Sequence, residues 1–261
     1  MITQDLSGVS ALDLKLDLAK HKLKIGPGLA KPRVEVNTLK DMRKVLVQKD
    51  LLAPRVLGVT YKGLCNLKDE NKISERNLRY DCRVIRSSRL GVEFMKTIGC
   101  LPRGGGVKLY EVLTGEAWYI LQKHNNKDTR IIEEVILLKA KAQDKVVIPP
   151  GYGYVIINIG LKDLVICRWV SGELKCGDEP YEISQGAAYF VMEDNWGARF
   201  TVNPYYNAVP NMSIAHPAEN LKGLRIKKGV PLYSLLYEGG KPLEFLNRPA
   251  QGDYSGVFIF E

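Results

Sequence analysis

Side chains that could ligate a metal ion or act as nucleophiles are few and scattered in this sequence. The three histidines are His21, His124 and His216. The five cysteines are Cys65, Cys82, Cys100, Cys167 and Cys176, with no CxxC pair and no spacing typical of disulfides. An odd number of scattered cysteines suits a reducing compartment, and we expect most of them to be small apolar residues. None is predicted to be a nucleophile, because a thiolate needs an electropositive, accessible environment that sequence does not establish.

Basic residues are concentrated in the first third of the chain, whose net charge at pH 7 is +9. Residues 1–90 contain 19 Lys or Arg and 10 Asp or Glu, whereas residues 91–261 contain 19 of each kind. This excess indicates either a surface for anions such as phosphate, RNA or acidic protein, or simply a basic lobe of a soluble protein. Both interpretations stay open, and the first includes contact with RNA or a ribosome through the basic N-terminal third.

Alternation of apolar and polar residues predicts strands through most of the chain. The clearest segments are residues 12–18, 145–160, 163–170 and 187–191. Many short strands separated by Gly and Pro favour a β-barrel or sandwich. Residues 78–86 are also predicted to be a strand, with Arg79 and Arg83 on the face opposite its apolar residues.

Two other segments have distinct patterns. Residues 37–53 are the best helix candidate, with Asn37 or Thr38 as the cap and an apolar stripe that we expect to pack in the core. Residues 231–237 and 241–246 flank a Gly-Gly pair and are predicted to form a hairpin. The final apolar run, 253–260, is predicted to pair into the main sheet or across a subunit interface.

The bulk properties are those of an ordinary globular protein of 261 residues, 45% of them hydrophobic. No apolar run approaches the roughly 20 residues that span a bilayer, and the N-terminus lacks the features of a signal peptide. We therefore predict a cytoplasmic protein that makes no membrane contact. Trp118, Trp169 and Trp196 lack the spacing of a stacking platform for nucleic acid and are predicted to be core or rim residues.

Residues 145–158 (KVVIPPGYGYVIIN) resemble the second motif of cupin β-barrels. That motif contains P-x-G-x-x-H-x-x-x-N, in which the histidine binds a metal ion inside the barrel. Pro149, Gly151 and Asn158 stand at the matching positions, but Tyr154 replaces the histidine. Gln143 replaces a glycine that is expected six residues before the proline.

Residues 91–102 (GVEFMKTIGCLP) resemble a strand of the cupin-type, or archaeal, glucose-6-phosphate isomerases. The family pattern is G-x-E-F-x-x-T-x-G-H-x-H, and the matching residues are Gly91, Glu93, Phe94, Thr97 and Gly99. Cys100 and Pro102 stand at the two histidine positions, and Lys108 stands at the position of the family's glutamate ligand. The resemblance extends from about residue 10 to about residue 206.

The resemblance implies an all-β cupin fold, a double-stranded β-helix or jelly-roll barrel with a few short helices. We expect residues 1–212 to form the barrel, including its basic N-terminal strands. Residues 213–261 are expected to form a C-terminal β-hairpin extension packed on the barrel or at a dimer interface. Related cupins are commonly homodimers, so we expect a homodimer.

The resemblance also implies a dismantled metal site, because its four ligand positions are Cys, Pro, Lys and Tyr. Proline offers no side-chain donor, and lysine places a cation where a metal ion would bind. None of the three histidines falls in either motif. We therefore expect a divergent member of the family with no metal, no cofactor and no catalytic residue.

The anion-binding side of the family's pocket is better matched. Thr97 and Gly99 correspond to family phosphate contacts, and Arg83 corresponds to a small hydroxyl residue that also touches phosphate. The predicted ligand-binding residues are Arg83, Thr97, Gly99, Lys108, Tyr110 and Tyr154. Under the alternative interpretation, Thr97 is a strand residue, Gly99 a packing glycine and Arg83 a solvated charge. Lys108 would be costly if unpaired in the barrel, so we expect an acidic partner or an anion near it.

Three functions follow from these observations. The first is a degenerate, non-catalytic homologue of the isomerase that binds a sugar phosphate or other anion, as a sensor or regulatory subunit would. The second is a basic interaction module for RNA or a large assembly. The third is a metal-independent glucose-6-phosphate isomerase. We favour the first, because the family's catalytic set is degraded at several positions.

Overall fold

The structure is a computed structural model that describes residues 2–195 and 197–261. Its regular structure is mostly β, as the alternating segments predict. The strands are β1 Thr3–Asp5, β2 Leu14–Asp17, β3 Lys22–Ile25, β4 Arg33–Thr38, β5 Val56–Lys62, β6 Leu78–Ile85, β7 Arg89–Leu90, β8 Glu93–Lys96, β9 Leu101–Pro102, β10 Lys108–Thr114, β11 Glu116–His124, β12 Ile132–Lys141, β13 Lys145–Ile148, β14 Tyr152–Asn158, β15 Leu164–Ser171, β16 Cys176–Gly177, β17 Tyr189–Asp194, β18 Gly197–Val202, β19 Met212–Pro217 and β20 Phe258–Phe260. The α-helices are α1 Ser7–Ser10, α2 Leu39–Met42, α3 Glu70–Glu75 and α4 Glu179–Ile183.

Two large sheets form the body of the fold in the described residues. The first sheet has the strand order β13-β10-β15-β6-β5-β4. The second has the order β18-β17-β8-β14-β11-β12-β19-β20, with β7 paired to β8. Neighbouring strands within these sheets are antiparallel, except that β12 and β19 are parallel. This architecture confirms the predicted all-β class.

The two sheets face each other across a shared core, which we call the barrel interior. Alternate residues of a strand point to opposite faces, so every second side chain of β10 points inward. Tyr110 on β10 packs against Tyr119 on β11 and Tyr154 on β14, with ring centroids 5.8 and 5.9 Å apart. These contacts join the first sheet to the second.

A second apolar core lies on the outer face of the first sheet. It contains the other set of alternating side chains, including Leu109, Cys167 and Trp169. The small sheet β1-β2-β3 contributes further buried residues to this core. Residues 221–257, which we call the C-terminal segment, contribute others. The first sheet is therefore covered on both faces, which explains why its central strands are buried almost throughout.

The C-terminal segment is fixed to this outer face by directional contacts. The Trp169 indole donates a hydrogen bond to the Leu232 carbonyl over 2.9 Å, and its ring stacks on that of Tyr233 at 5.6 Å. The Leu232 amide donates to Glu111, whose carboxylate pairs with Lys145 at 3.1 Å. Glu111 and Lys145 are both buried. The Leu232 amide satisfies a further acceptor of this buried ion pair, as a buried ion pair requires.

The predicted C-terminal hairpin is wrong. Residues 231–246 instead contain 3-10 helices at Leu232–Leu236 and Glu244–Leu246. The leucines and aromatic residues of these 3-10 helices are buried in the outer core. This packing determines their conformation more strongly than the alternating pattern that suggested strands. The final apolar run does pair into the main sheet, because Phe258–Phe260 lies antiparallel to β19. The domain boundary near residue 212 stays a prediction.

The helix predicted for residues 37–53 is much shorter than expected. Helix α2 ends at Met42 and continues only as a 3-10 turn, Arg43–Val45. Thr38 is the cap, as predicted, and it forms a reciprocal capping box with Asp41. Because the predicted apolar stripe ends at Leu46, the residues beyond it have no apolar face to support further helical turns.

The cysteines do not stand alone as the sequence suggested. Cys82 and Cys167, on the adjacent strands β6 and β15, form a disulfide in the outer core. Cys100 and Cys176 form a second disulfide, and Cys65 is free and buried. Both pairs join residues more than 70 positions apart, so no local spacing could reveal them.

Two of the three tryptophans lie in the core or at its rim. Trp118 stacks on Phe200 and Trp169 is fully buried, in agreement with a core or rim role. Trp196 lies outside the described residues. Among the residues that are described, no helix has the length and apolar character to cross a bilayer.

Candidate anion-binding site

A cavity of about 280 Å³ opens into the barrel interior from the side of β4, β5 and β8. Its wall is unusually rich in cations for an interior surface. The basic residues that line it are Lys62, Arg83, Lys96, Lys108 and Arg168. Lys62 is paired with Glu35 and Lys96 with Glu93. The other three cations lie at the inner end of the cavity.

These three cations come from neighbouring strands of the first sheet. Arg83 lies on β6, Arg168 on β15 and Lys108 on β10, and these strands are adjacent in the order β10-β15-β6. Each side chain occupies an inward position between outward apolar residues, as with Arg168 between Cys167 and Trp169. Strand alternation therefore brings three positive charges to one face of one sheet.

Arg168 is held by partners on both neighbouring strands. It is opposite Tyr110 on one side and Asp81 on the other. Its guanidinium donates to the Tyr110 hydroxyl over 3.0 Å and to one Asp81 oxygen over 2.9 and 3.0 Å. Burial opposes ionisation of Asp81, but the guanidinium groups of Arg168 and Arg79 outweigh burial and hold the pKa of Asp81 below its usual value.

Arg83 differs from Arg168 in its partners. Its Nε atom donates to Thr60 over 2.8 Å, and no ion pair in residues 2–195 and 197–261 involves Arg83. Both Asp81 oxygens accept instead from Arg79 and Arg168. Burial and the charge of Arg168 lower the pKa of Arg83, but a guanidinium stays protonated in proteins. Among the described residues, the Arg83 guanidinium therefore has no carboxylate within ion-pair distance, although Asp41 and Asp178 also line the cavity.

Lys108 lies at the inner end, with only 2% of its surface exposed. Its Nζ atom is 2.5 Å from the Tyr154 hydroxyl, and 2.7 and 2.8 Å from the sulfur atoms of Cys100 and Cys176. Burial, and then the charges of Arg168 and Arg83, lower the pKa of Lys108 well below its usual value. Of the acidic partner or anion that we expect near Lys108, no acidic ion-pair partner is found among the described residues, and Nζ contacts a hydroxyl and a disulfide instead.

A second tyrosine hydroxyl, that of Tyr110, extends this contact. The Tyr154 and Tyr110 hydroxyl oxygens are 2.7 Å apart, and Tyr110 accepts from Arg168. Burial raises the pKa of Tyr154 well above its usual value, so this phenol stays protonated. Lys108, Tyr154, Tyr110 and Arg168 therefore form one continuous hydrogen-bonded chain.

Thr97 and Gly99 line the same cavity, but each also has a structural role. The Thr97 hydroxyl accepts a hydrogen bond from the Ile156 amide over 3.0 Å. Gly99 has φ +133°, and a Cβ atom there would lie 2.4 Å from the Tyr181 ring. Both the ligand-contact and the packing interpretations of these two residues agree with this geometry.

The predicted ligand-binding residues therefore lie together, and their role in binding stays a prediction. Arg83, Thr97, Gly99, Lys108 and Tyr154 line the cavity, and Tyr110 lies directly behind Tyr154. Sequence reasoning missed Arg168, Asp81 and Cys176. One signal was present for Arg168, since it is the only charged residue within the apolar strand 164–170; no comparable signal marked Cys176.

The chain matches one protein-family model. The family model for glucose-6-phosphate isomerase matches residues 50–207, more than half of the chain. The chain belongs to this family. The matched region contains every predicted ligand-binding residue and most strands of the two sheets. A search of curated protein sequences finds no match.

Several solved cupin structures are similar to the chain at low identity. Vicilin from Corylus avellana (hazelnut) has 13% identity and a TM-score of 0.38, over 58% of this chain and 36% of that protein. Procruciferin, an 11S globulin from Brassica napus, has 15% identity and a TM-score of 0.35, over 49% and 29%. The 7S globulin of Momordica charantia has 16% identity and a TM-score of 0.34, over 46% and 32%. The chain thus spans about a third of the length of each of these proteins.

The cupin resemblance implies a metal ion, and the residues at its ligand positions do not fit one. Cys100 and Tyr154 form a β-bridge, and Lys108 contacts both side chains, so three of the four positions do converge. However, the Cys100 sulfur is in a disulfide, Lys108 is an amine and Pro102 has no donor. In the described part of the chain, no three His, Cys, Asp or Glu side chains are grouped as metal ligands would be.

Proposed function

We propose that this isomerase-family protein binds a sugar phosphate or a similar small anion in the barrel, without the metal-dependent chemistry of its relatives. The protein would then act as a sensor or regulatory subunit. The anion would lie in the family's pocket, among the cations that surround it. The residues at the altered ligand positions would have no catalytic role.

The observation that carries the proposal is the state of Arg83. Its guanidinium lines the cavity, donates to a neutral hydroxyl, and takes part in no ion pair within the described residues. A buried or half-buried charge without a counter-ion is unfavourable unless an anion completes it. A phosphate group supplies oxygen acceptors in the geometry that a guanidinium prefers.

A second candidate is metal-independent isomerisation, and one observation favours it. Interconversion of an aldose and a ketose phosphate needs a base that moves a proton between C1 and C2. The lowered pKa of Lys108 favours the neutral amine in the cavity, and the neighbouring Tyr154 hydroxyl is a proton donor. The amine would act as the base and the phenol would stabilise the developing oxyanion.

Metal content and isomerase activity separate these functions. Protein purified without an affinity tag is analysed for metals and assayed for glucose 6-phosphate conversion, with chelator and with added Fe²⁺, Mn²⁺ or Zn²⁺. We expect no stoichiometric metal and no conversion. Conversion that survives the chelator would favour the second candidate, and one metal per chain with activity would contradict the loss of metal-dependent chemistry.

Ligand binding is tested by thermal unfolding in the presence of glucose 6-phosphate, inorganic phosphate or glucose. A ligand that binds only the folded protein raises the unfolding temperature, by an amount that grows with the logarithm of its concentration relative to Kd. We expect stabilisation by the two phosphates and none by glucose. Equal effects of glucose and glucose 6-phosphate would count against an anion site.

A further inference from the structure

Lys108 has an environment that suits an uncharged amine with a chemical role. An ammonium group has three hydrogen-bond donors and needs good acceptors when it is buried. Here Nζ contacts one hydroxyl and two disulfide sulfurs, which are weak acceptors. No carboxylate of the described residues forms an ion pair with it.

Electrostatics act in the same direction as burial. The nearest charges that influence Lys108 are the guanidinium groups of Arg168 and Arg83, and their repulsion exceeds the attraction of Asp81. A neutral lysine in a desolvated pocket beside other cations is the form that attacks carbonyl groups. Most buried lysines that are merely structural instead pair with a carboxylate.

The proton donor that such an attack requires is already in place. Tyr154 donates or accepts at Lys108 over 2.5 Å and is linked through Tyr110 to Arg168. Lys108, Tyr154 and Arg83 line the same cavity. A molecule with a carbonyl at one end and a phosphate at the other would therefore meet an amine, a phenol and a guanidinium.

We propose that Lys108 forms an imine with phosphorylated aldehydes or ketones that enter this cavity, with Arg83 holding the phosphate. The inference rests on the proposed anion-binding function and adds a covalent step to it. The protein would then capture open-chain sugar phosphates or shorter carbonyl phosphates reversibly.

The step is balanced without an oxidant or a reductant. The Nζ lone pair attacks the carbonyl carbon, and the carbonyl oxygen takes a proton from the Tyr154 hydroxyl. The resulting carbinolamine loses its hydroxyl group with a further proton as water, and the C=N bond forms. Both protons come in the end from the amine, because Tyr154 is reprotonated; the products are one imine and one water molecule.

The test is reductive trapping with glyceraldehyde 3-phosphate and cyanoborohydride, which reduces the imine to a stable secondary amine. The whole chain is assayed both as purified and after treatment with a phosphine reductant, because the Cys100–Cys176 disulfide contacts Nζ. Peptide mass spectrometry then compares the labelling rate of Lys108 with that of Lys20, an exposed lysine. Because the neutral amine is the form that adds to a carbonyl, we expect Lys108 to label several-fold faster than Lys20.

Two controls examine the role of the phosphate. Glyceraldehyde, which lacks a phosphate, should label Lys108 more slowly than glyceraldehyde 3-phosphate does, and inorganic phosphate should compete. Labelling of Lys108 that is no faster than labelling of Lys20 would overturn the proposal. Because the comparison is made within the wild-type protein, it does not depend on whether a Lys108 variant folds.

A negative result can be assigned to one of the two proposals. If inorganic phosphate still raises the unfolding temperature while Lys108 does not label, the anion site stands and the imine is excluded. If neither effect is seen, the proposed function fails as well. The variant Lys108→Arg, whose guanidinium forms no reducible imine, should lose the label at position 108.

Discussion

The Lys108 amine and the Tyr154 hydroxyl are in contact at 2.5 Å, although β10 and β14 belong to opposite sheets. The two residues stand at positions where the family resemblance implies a glutamate and a histidine bound to one metal ion. An amine and a phenol at these positions bond directly to each other, so the contact spans the space that a metal would fill. The barrel thus keeps a link between its sheets with different chemistry.

Replacement of Arg83 should weaken anion binding. Hydrogen bonds to charged groups contribute about 1.5–3 kcal/mol, so Arg83→Gln should reduce the affinity for glucose 6-phosphate by about tenfold or more. Isothermal titration calorimetry measures this change. Arg55→Gln is the matched control, because it removes the same charge from an exposed residue. Equal losses in both variants would indicate a general charge effect in place of a site.

The buried amine of Lys108 should give the protein a distinctive pH dependence. Its pKa is lowered on folding, so between the folded and unfolded pKa values the unfolded state binds more protons. The free energy of unfolding should therefore rise with pH between the folded-state pKa and the usual lysine pKa. Urea unfolding measures the free energy of unfolding of the wild type and of Lys108→Met at each pH. If Lys108 is charged in the folded protein, the difference between the two proteins should not change with pH.

The C-terminal segment should contribute strongly to stability through Tyr233. Its ring packs on Trp169 and Tyr80, and its hydroxyl donates to Asp69 over 2.8 Å. Tyr233→Ala should lower the free energy of unfolding by about 3–5 kcal/mol, the usual range for a buried aromatic. The same change at Tyr205, which is 49% exposed, should have little effect in chemical denaturation. A small loss at Tyr233 would mean that the segment is not docked in solution.

The two disulfides can be mapped directly. Non-reducing peptide mass spectrometry should recover Cys82 linked to Cys167 and Cys100 linked to Cys176, with Cys65 alkylated. Loop-closure entropy for 85 residues predicts that Cys82→Ala with Cys167→Ala lowers the free energy of unfolding by about 4–5 kcal/mol. Alkylation of all five cysteines in freshly purified protein would show that the thiols are reduced.

Much of the fold could be predicted because strand alternation is a local signal. Residues 78–86 illustrate this: Tyr80, Cys82 and Val84 enter the outer core, while Arg79 and Arg83 point inward. The C-terminal hairpin could not be predicted correctly, because residues 232–236 and 244–246 take their conformation from the surface they cover. An apolar segment of this length has no periodicity that separates a strand from a turn of helix.

The site was accessible from sequence only where the family pattern could be followed. That pattern located Thr97, Gly99, Lys108 and Tyr154 along the chain, and the fold brings them to one cavity. Asp81 and Arg168 escaped notice because their importance depends on pairing between β6 and β15, which are far apart in sequence. The Cys176 contact depends likewise on the short pairing of β16 with β9.

Strand β15 lines the cavity with one face and contacts the C-terminal segment with the other. Arg168 faces the cavity, and the next residue, Trp169, supports the C-terminal segment on the opposite side. A shift of this backbone by one residue would send the guanidinium into the apolar layer and the indole into the cavity. The pairing of β15 with β10 and β6 sets this register, and the Trp169–Leu232 hydrogen bond adds an anchor on the outer face. Full-length protein is the proper subject for every binding measurement on this barrel.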